Sequence, residues 1–367
     1  MRIAVDASSL LTRHPRGEGR TLLRLYQELA QIRPEWQFVF LGMRRSDAGD
    51  EIRRLIPSSV IHIFDLPGYR WNLWKRVGLP LMAWLSGADL LHCSSSGSPP
   101  WSPIPIVMTV HDVIPLLMAD GMNRDSLERF RRALVSGVRI AKRIITVSEH
   151  TRQDLLRLMH PDPSKISVVH WGTDLAASAP QCARRQGDAL VLGFGGGGST
   201  RKNTPMLIRM FAHVAATHEA ARLVDLGVSD ARQRTELQNL ANDLLLQDRI
   251  TLMGYVPDTE LEAYYRRAAC LVYISLYEGF GLPPLEAMAH GVPVIASNKS
   301  SIPEVVGNAG LLVDPERADD IATAVLKVLN DEDLRLQLAQ LSWQRAIEFG
   351  WRRTAEKTAA VFEAAIS

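Results

Sequence analysis

The sequence predicts an α/β protein with two doubly wound parallel-sheet domains. Short runs rich in β-branched and aromatic residues alternate with longer helix-forming runs along the chain, a pattern typical of parallel sheets covered by helices. A glycine-containing loop follows a predicted strand near the start of each half. Between the halves lies a small, polar stretch without periodicity, as expected of a linker. The predicted organisation is a first domain at 1–175, a linker at 176–188, a second domain at 189–350 and a C-terminal helix at 351–367.

Individual elements follow from the same periodicities. In the first domain we predict strands at 3–5, 36–42, 60–64, 90–93, 106–110, 143–149 (including its exit) and 166–170, and helices at 21–31, 127–141 and 150–159. In the second domain we predict strands at 189–193, 222–227, 250–253, 270–275, 294–297 and 310–314, and helices at 206–216, 258–268, 285–289, 318–330, 333–349 and 351–366.

Composition excludes several classes of protein. The 367 residues are 46% hydrophobic and 22% charged, enough for two soluble domains, and the net charge of +2 gives no argument for a nucleic-acid binder. The three cysteines are few, odd in number and widely spaced, which fits a reducing cytosol and excludes a disulfide scaffold. No run reaches the roughly 18 apolar residues of a membrane span, and no signal peptide precedes the first strand. We therefore expect a cytoplasmic protein.

The stretch from Glu278 to Glu286 (EGFGLPPLE) carries the strongest functional pattern. Its two glycines allow a close approach of the backbone to a ligand, and Pro283 and Pro284 suit the first turn of a helix. A helix start with free N–H groups binds phosphate. Carboxylates with seven residues between them on either side of that helix start can accept hydrogen bonds from sugar hydroxyls. The pattern therefore predicts a nucleotide-sugar site, which outweighs an interpretation as solvated or helix-stabilising glutamates.

The glycine loop at 193–203 permits two interpretations. Gly193, Gly195 and Gly198 satisfy the G-x-G-x-x-G pattern of NAD-binding proteins, with Asp225 ending the next strand. The following helix, however, is predicted to begin near Pro205, too late for Gly198 to pack against it. Arg201 and Lys202, between the glycines and the helix, suit the charge of a diphosphate instead.

The segment from Glu278 to Glu286 resembles the Glu-x7-Glu motif of retaining GT-B glycosyltransferases of family 4, especially bacterial mannosyltransferases of polysaccharide or O-antigen synthesis. The stretches 287–294 and 303–305, His111-Asp112 after a predicted strand, Val-Ser at 147–148 and the turn at 254–257 are also similar to that family. The resemblance implies the GT-B architecture, in which two Rossmann-like doubly wound domains face each other across a cleft and the C-terminal helix packs back on the first domain.

The resemblance also implies roles for individual residues. Glu278 is expected to hold the donor sugar's hydroxyls, Glu286 the ribose, and Arg201 and Lys202 the phosphates, with Lys202 favoured for the leaving phosphate. His111 is expected to contact the donor sugar at the reacting face. The backbone of Gly279, Phe280, Gly281 and Leu282 is expected to contact the diphosphate, and the backbone of the turn at Tyr255 and Val256 the base. Gly17 and Gly19 are expected to lie beside the donor phosphates and the acceptor. The loop at 16–20 is also compatible with a plain surface turn. Since no Asp-x-Asp motif appears where a metal would bridge the phosphates, we expect no metal site and no obligatory cofactor.

The predicted reaction is transfer of a hexose, with mannose from GDP-mannose favoured, from a nucleotide diphosphate sugar to a bacterial surface glycan or lipid-linked acceptor, with retention of configuration. Three alternatives stay open: a nucleotide-sugar 2-epimerase of the same fold, an NAD-dependent enzyme, and a sugar-binding protein without activity.

The segment 69–85 combines tryptophans and cations with an apolar run. It predicts either a peripheral contact with the inner face of the cytoplasmic membrane, through Trp74, Lys75 and Arg76, or a core or acceptor-cleft helix.

Overall fold

The computed structural model describes residues 1–10, 17–43, 48–57, 59–64, 73–95, 97–118, 122–175, 189–196 and 199–367. These residues form two compact units, the first comprising Met1–Gly172 with Trp351–Ser367 and the second Thr173–Gly350. The predicted linker at 176–188 lies outside the described residues.

The first unit is built on a seven-stranded parallel sheet with the strand order β3-β2-β1-β4-β5-β6-β7. Its strands are β1 (Arg2–Asp6), β2 (Gln37–Met43), β3 (Val60–Phe64), β4 (Leu90–Cys93), β5 (Ile106–Val110), β6 (Arg143–Thr146) and β7 (Ile166–Val168). Its helices are α1 (Gly17–Ile32), α2 (Ala48–Leu55), a π-helical turn (Trp74–Gly78) leading into α3 (Leu79–Leu85), α4 (Ile114–Leu117), α5 (Arg124–Ile140), α6 (Glu149–Met159) and a 3-10 turn (Pro163–Lys165). This order reverses between β1 and β4, as in doubly wound folds.

The second unit contains a six-stranded parallel sheet with the order β10-β9-β8-β11-β12-β13. Its strands are β8 (Ala189–Phe194), β9 (Ala221–Leu226), β10 (Ile250–Leu252), β11 (Cys270–Tyr273), β12 (Val294–Ser297) and β13 (Leu311–Val313). Its helices are a 3-10 turn (Thr200–Lys202), α7 (Thr204–Thr217), α8 (Ala231–Asp243), α9 (Asp258–Arg267), α10 (Leu282–Ala289), α11 (Ile302–Val306) with a 3-10 turn (Gly307–Ala309), α12 (Ala318–Asn330) and α13 (Glu332–Ile347). The two sheets confirm the prediction of two doubly wound domains.

The C-terminal helix α14 (Trp351–Ile366) belongs to the first unit. It packs along α1, where Arg33 pairs with Glu363 at 3.2 Å and the rings of Trp36 and Phe362 lie 6.4 Å apart. Near its start, the Thr354 hydroxyl donates a hydrogen bond of 2.9 Å to the carbonyl of His170. Its apolar face is buried against the sheet, which explains the amphipathic pattern of this stretch.

The start of α1 differs from the prediction. The helix begins at Gly17 rather than at residue 21, so Gly17 and Gly19 lie in its first turn and not in a loop. The Thr21 hydroxyl donates to the Glu18 carbonyl at 2.9 Å, and Gly19 is buried. Glycine has a low helix propensity, which explains why sequence reasoning placed the helix start too late. Residues 11–16, including Arg16 of the predicted loop, lie outside the described part.

Residues 73–85 of the segment 69–85 form a helix whose one face lies in the core. Residues 69–72 lie outside the described range. Trp74 is buried with Leu79 and Ala83 in the core beside the sheet. The Lys75 ammonium forms an ion pair with the buried Asp6 carboxylate at the end of β1. The expectation that Trp74 and Lys75 form an exposed membrane contact is therefore wrong. Core packing explains Trp74, and the ion pair with Asp6 explains Lys75.

Candidate active site

The strand order of the second unit positions its candidate site. Strands β8 and β11 are neighbours in the sheet, although β9 and β10 lie between them in the sequence. The glycine loop after β8 and the Glu278 loop after β11 therefore leave the sheet side by side at its carboxyl end. In open α/β sheets this topological switch point is where ligands bind.

Glu278 is the centre of a buried cluster of charges. One carboxylate oxygen, Oε2, lies 2.6 Å from a guanidinium nitrogen of Arg201. The other, Oε1, lies 2.7 Å from Nζ of Lys202. Glu278 is only 7% exposed. The structure thus brings together the three charged residues that the sequence predicted for sugar and phosphate contacts, and it joins them through one carboxylate.

Two hydroxyl groups complete the Glu278 cluster, and sequence reasoning missed both. The hydroxyls of Tyr273 and Ser275 donate to Oε1 of Glu278 at 2.8 and 2.7 Å. Nζ of Lys202 also donates to the Tyr273 hydroxyl at 2.7 Å. Tyr273 and Ser275 are two positions apart at the end of a fully buried strand, so both point to the same side. Polar side chains at that spacing before Glu278 were a usable signal.

The charges of the cluster depend on one another. Burial alone would raise the pKa of Glu278, but Lys202 and Arg201 outweigh it and lower that pKa from 4.5 to about 2. Burial lowers the pKa of Lys202 from 10.5, against the opposing field of Glu278. Because these cations are held in a desolvated position, they can stabilise a bound anion more strongly than solvated cations could.

The loop after Glu278 is held in place by a serine. The Ser301 hydroxyl donates to the carbonyl oxygens of Glu278 and Phe280 at 2.9 and 2.7 Å. Gly281, at the N-cap of α10, has a φ of +128°, which disfavours any side chain there. Leu282 is the first helical residue, and the two prolines that follow have no N–H group to offer a ligand. Any anion contact at this helix start therefore involves amides before Pro283.

Glu286 lies farther from the helix start than predicted. Because α10 begins at Leu282, Glu286 is its fifth residue and belongs to the second turn, not the first. The Tyr265 hydroxyl donates to Oε2 of Glu286 at 3.3 Å. Nδ1 of His290 lies 2.8 Å from the Glu286 carbonyl oxygen, and the His290 ring stacks on Tyr265 at 5.0 Å. Neighbouring side chains therefore fix the direction of the Glu286 carboxylate.

Asp225 is turned into the protein and not toward a ribose. It is fully buried, and its Oδ1 accepts a hydrogen bond of 2.5 Å from the Gly195 N–H. A Cβ at Gly193 would lie 2.9 Å from the same oxygen, so this glycine is needed for the close approach. Gly198 lies outside the described residues. The carboxylate that an NAD-binding unit would use for the cofactor is here engaged by the loop itself.

The predicted base-contacting turn lies beside the loop after β9. The Gly227 N–H donates to the Gly254 carbonyl at 3.1 Å, and the Val228 N–H donates to the Met253 carbonyl at 2.8 Å. Tyr255, next in the chain, is 73% exposed, and Val256 is half-buried. An exposed aromatic ring on a loop fixed to its neighbour suits stacking on a base.

A second polar cluster lies at the carboxyl ends of β1, β4 and β5 in the first unit. Nε2 of His111 lies 2.6 Å from the Ser94 carbonyl oxygen and therefore carries the proton, which leaves Nδ1 as an acceptor. The His111 ring stacks on Trp171 at 5.5 Å. Oε1 of Glu18, in the first turn of α1, lies 3.7 Å from Nε2. Burial raises the pKa of Glu18. Sequence reasoning found His111 but not Glu18 or the ion pair of Asp6 with Lys75.

Chemically, the second unit offers two fixed cations and a carboxylate around a loop that precedes a helix. Within the described ranges, no group of three or more histidine, cysteine and acidic side chains is placed to hold a metal ion. The cations suit a diphosphate, and the acceptor groups suit sugar hydroxyls. Two doubly wound domains, one of which carries such a site, are the arrangement expected of a glycosyltransferase.

Comparison with known proteins also identifies the chain as a glycosyltransferase. A family model described as glycosyl transferases group 1 matches residues 181–342, and one described as glycosyltransferase family 4 matches residues 15–177. The chain is 32% identical over 269 residues to O-antigen chain mannosyltransferase B of Escherichia coli, covering 69% of this chain and 68% of that protein. It is 29% identical over 300 residues to a D-inositol 3-phosphate glycosyltransferase of Kribbella flavida, covering 77% and 70%. The chain belongs to the family 4 (group 1) glycosyltransferases.

A solved structure supports the fold. The structure of the Anabaena protein HepE in complex with UDP and glucose matches with a TM-score of 0.76 and 17% identity, covering 99% of this chain and 100% of that one. Together with the two parallel-sheet domains, this likeness confirms the predicted GT-B fold class.

Proposed function

We propose that this enzyme transfers mannose from GDP-mannose to a growing bacterial surface glycan or a lipid-linked acceptor, with retention of configuration. The observation that carries the proposal is the buried Glu278 cluster with its two cations at the switch point of the second sheet. The similarity to an O-antigen chain mannosyltransferase supports the choice of sugar and acceptor.

The chemistry of the proposed step needs few groups. Cleavage of the bond between the sugar C1 and the phosphate oxygen places negative charge on the leaving diphosphate. Arg201 and Lys202 would stabilise that charge, together with the amides at the start of α10. Glu278 would hold hydroxyls of the donor sugar, and His111 keeps the role of a contact to the same sugar. Glu286 is assigned to the ribose, and Tyr255 with Val256 to the base.

Binding of the donor must redistribute the ion pairs of Glu278. In the structure one carboxylate pairs with both Arg201 and Lys202. A diphosphate that takes over these cations frees the carboxylate oxygens to accept hydrogen bonds from sugar hydroxyls. The same cluster would thereby bind both ends of the donor, which explains why an acidic residue lies beside a proposed phosphate site.

The proposal is tested by a binding and turnover panel. GDP-, UDP-, ADP- and dTDP-sugars, with NAD(H) included, are compared by thermal shift on the wild type and on Lys202→Ala. A ligand at 100 times its Kd stabilises the fold by about 2.7 kcal/mol. GDP-mannose should stabilise the wild type and act more weakly on Lys202→Ala, while Lys327→Ala, an exposed lysine on α12, should behave as the wild type.

Other results of that panel would redirect the proposal. A response to a different nucleotide sugar would keep the glycosyltransferase and change the donor. Release of an epimerised free sugar without any acceptor would indicate a 2-epimerase. A response to NAD(H) alone would overturn the nucleotide-sugar site. The stereochemistry is read from the anomeric configuration of the product by NMR.

We also propose a peripheral contact with the inner face of the cytoplasmic membrane. Within the described residues, no helix is both long and apolar enough to cross a membrane. The continuous helical stretch 73–85 nevertheless exposes a stripe of large apolar side chains: Leu73, Val77, Leu81, Trp84 and Leu85. Arg76 is exposed on the same stretch, and α5, which shares its core cluster, carries exposed Arg131 and Arg139. An exposed apolar stripe with a cation on the same helical stretch suits an anionic lipid surface.

Liposome sedimentation tests this contact. Trp84→Gln, which changes a tryptophan that is 52% exposed, should weaken binding to vesicles that contain anionic lipid. Trp101→Gln is the matched control, because that tryptophan is 44% exposed in the loop before β5. Equal binding of both variants and the wild type would remove the proposal without affecting sugar transfer.

A further inference from the structure

The two oxygen atoms of the Glu278 carboxylate have different surroundings. Oε1 is contacted by three groups: the hydroxyls of Tyr273 and Ser275, which donate to it at 2.8 and 2.7 Å, and Nζ of Lys202 at 2.7 Å. Oε2 lies 2.6 Å from a guanidinium nitrogen of Arg201. Tyr273 and Ser275 are 2% and 1% exposed, whereas the Arg201 side chain is 22% exposed. Oε1 is therefore held by buried hydroxyls, and Oε2 is paired with the more exposed cation.

The Tyr273 hydroxyl connects the two charged groups of this ion pair. It donates its one proton to Oε1 of Glu278 and accepts a hydrogen bond of 2.7 Å from Nζ of Lys202. Both bonds can exist together, because a hydroxyl group has one donor and two acceptor positions. The ammonium has three donors, and the contacts with Glu278 and Tyr273 account for two of them. A third N–H of Lys202 can therefore point at a ligand while Tyr273 holds the amine.

A bound diphosphate would act differently on the two carboxylate oxygens. If it takes over Arg201 and Lys202, as proposed above, Oε2 loses its guanidinium partner. Oε1 loses only the ammonium and keeps the hydroxyls of Tyr273 and Ser275. A carboxylate oxygen offers about two lone-pair sites, so these two hydroxyls occupy Oε1. Oε2 is then the oxygen that can accept from a hydroxyl of the donor sugar.

We propose that Tyr273 is a positioning residue of the donor site: it holds Oε1 of Glu278 so that Oε2 meets the sugar, and it keeps Lys202 directed at the diphosphate. The proposal rests on the proposed function, because both effects need a nucleotide diphosphate sugar at this cluster. Ser275 shares the first task, since its hydroxyl donates to Glu278, whereas the Tyr273 hydroxyl also accepts from Lys202. No covalent bond changes, and Arg201 and Lys202 only exchange hydrogen-bond acceptors.

Loss of the Tyr273 hydroxyl should cost the donor complex more than the free protein. In the free protein Arg201 and Lys202 also hold the Glu278 carboxylate, so its direction is fixed without the hydroxyl. In the complex the diphosphate engages both cations, and the direction of the carboxylate depends on Tyr273 and Ser275. A hydroxyl with a purely structural role would stabilise both states equally and would affect only the melting temperature. The affinity for a ligand that carries a sugar therefore distinguishes the two roles.

Titration calorimetry with GDP and GDP-mannose tests the inference on the full chain. Tyr273→Phe keeps the buried ring and removes the hydroxyl. We expect its Kd for GDP-mannose to rise about 30-fold and its Kd for GDP about threefold, since a hydrogen bond to a charged group is lost in the complex. Ser275→Ala should raise the Kd for GDP-mannose about fivefold and leave the Kd for GDP within about twofold of the wild type.

Tyr264→Phe is the matched control. Tyr264 lies half-buried on α9, and its hydroxyl is 4.0 Å from the Met253 sulfur. This variant also loses one tyrosine hydroxyl of the second unit, but not one that contacts the Glu278 cluster. It should bind GDP and GDP-mannose with the affinities of the wild type.

The outcomes separate this inference from the proposed function. If GDP-mannose binds to the wild type and Tyr273→Phe changes both Kd values by the same factor, or changes neither, the role of Tyr273 is overturned and the proposed function stands. A GDP affinity that falls as far in Ser275→Ala as in Tyr273→Phe would contradict the task of Tyr273 at Lys202.

Two further results are also decisive. Binding of neither GDP-mannose nor UDP-glucose to the wild type would overturn the proposed function and this inference with it. If UDP-glucose binds instead of GDP-mannose, it is compared with UDP in the same way. Should Tyr273→Phe fail to fold, the ratio of the two Kd values in Ser275→Ala decides whether the hydroxyls on Oε1 position Glu278 for the sugar.

Discussion

Nζ of Lys202 lies 2.7 Å from Oε1 of Glu278, the same oxygen that accepts the hydroxyls of Tyr273 and Ser275. The cation expected to bind phosphate is therefore already paired in the structure. Any donor diphosphate has to compete with Glu278 for Lys202. The ion pair keeps both groups satisfied in a buried position, and we expect this competition to govern the affinity for anions.

Replacing Glu278 by glutamine should separate nucleotide binding from transfer. Without the competing charge, Arg201 and Lys202 are available to a diphosphate, so GDP should bind about tenfold tighter, or about 1.4 kcal/mol. Sugar transfer should fall by about 100-fold or more, because a carboxylate contact to the sugar is lost. Calorimetry with GDP and a transfer assay measure the two effects. Glu236→Gln, an exposed position on α8, is the control. Weaker GDP binding by Glu278→Gln would contradict the competition.

Glu278 should also contribute stability that depends on acidity. Its pKa in the folded protein is about 2, below the ordinary 4.5. Because the folded pKa is depressed, its contribution is fully present above about pH 4.5 and is lost as the pH falls toward 2. The shift corresponds to about 3 kcal/mol as an order of magnitude. Hydrogen exchange of the β11 amides at pH 5 and pH 3 should therefore show a smaller decrease in protection, after correction for intrinsic rates, in Glu278→Gln than in the wild type.

A methyl group at Gly196 should disturb Lys202 with little effect on the fold. The added Cβ would lie 2.6 Å from Cγ and 2.9 Å from Cε of Lys202, so the lysine side chain must move away. We expect the donor KM to rise about tenfold in Gly196→Ala, with a melting temperature close to that of the wild type. Gly350→Ala is the control, since its nearest neighbour would be 3.9 Å away. An unchanged KM would show that the position of Lys202 does not govern donor binding.

His111 should affect transfer and not nucleotide binding. Its Nε2 is engaged by the Ser94 carbonyl, so only Nδ1 is available to a ligand, as a hydrogen-bond acceptor. We expect His111→Ala to lower kcat/KM for transfer by about 100-fold while the Kd for GDP stays within twofold. His150→Ala, a half-buried histidine on α6, is the matched control. A weakened GDP affinity in His111→Ala would contradict a role limited to the sugar.

Much of the fold and part of the site could be predicted because local backbone chemistry determines them. Glycines and prolines around residues 279–284 mark a loop that enters a helix whatever the surroundings. Glu278 and Lys202 are 76 positions apart in sequence, yet they meet because parallel strands β8 and β11 are neighbours. Alternation of strands and helices predicts such a sheet, and ligand chemistry belongs at its carboxyl end. The order of the strands, however, does not follow from that alternation, because it depends on contacts between distant parts of the chain.

The sequence does not show which face of a helix or strand is buried, so the burial and direction of individual side chains could not be predicted. Tryptophans at 74 and 84 look alike in the sequence, but Trp74 is 1% exposed and Trp84 is 52% exposed. The direction of Asp225 is likewise decided by the close approach of Gly195, which a pattern of glycines does not specify. The helix start at Gly17 goes against the local propensity of glycine and is imposed by tertiary packing.

The contribution of Asp225 to stability should change with pH in the direction opposite to that of Glu278. Its folded pKa is about 7, above the ordinary 3.8. Because this pKa is raised, the contribution of protonated Asp225 to the free energy of unfolding is fully present below about pH 3.8. That contribution is lost progressively as the pH rises to 7. The shift corresponds to about 4 kcal/mol as an order of magnitude. Asp225→Asn cannot ionise, so it should gain stability relative to the wild type between pH 4.5 and 7.5. Hydrogen exchange of the β8 and β9 amides, corrected for intrinsic rates, measures the difference. If the difference in the free energy of unfolding between Asp225→Asn and the wild type is constant over this pH range, Asp225 is ionised throughout. Lys202 would then compensate the Asp225 charge in the folded protein.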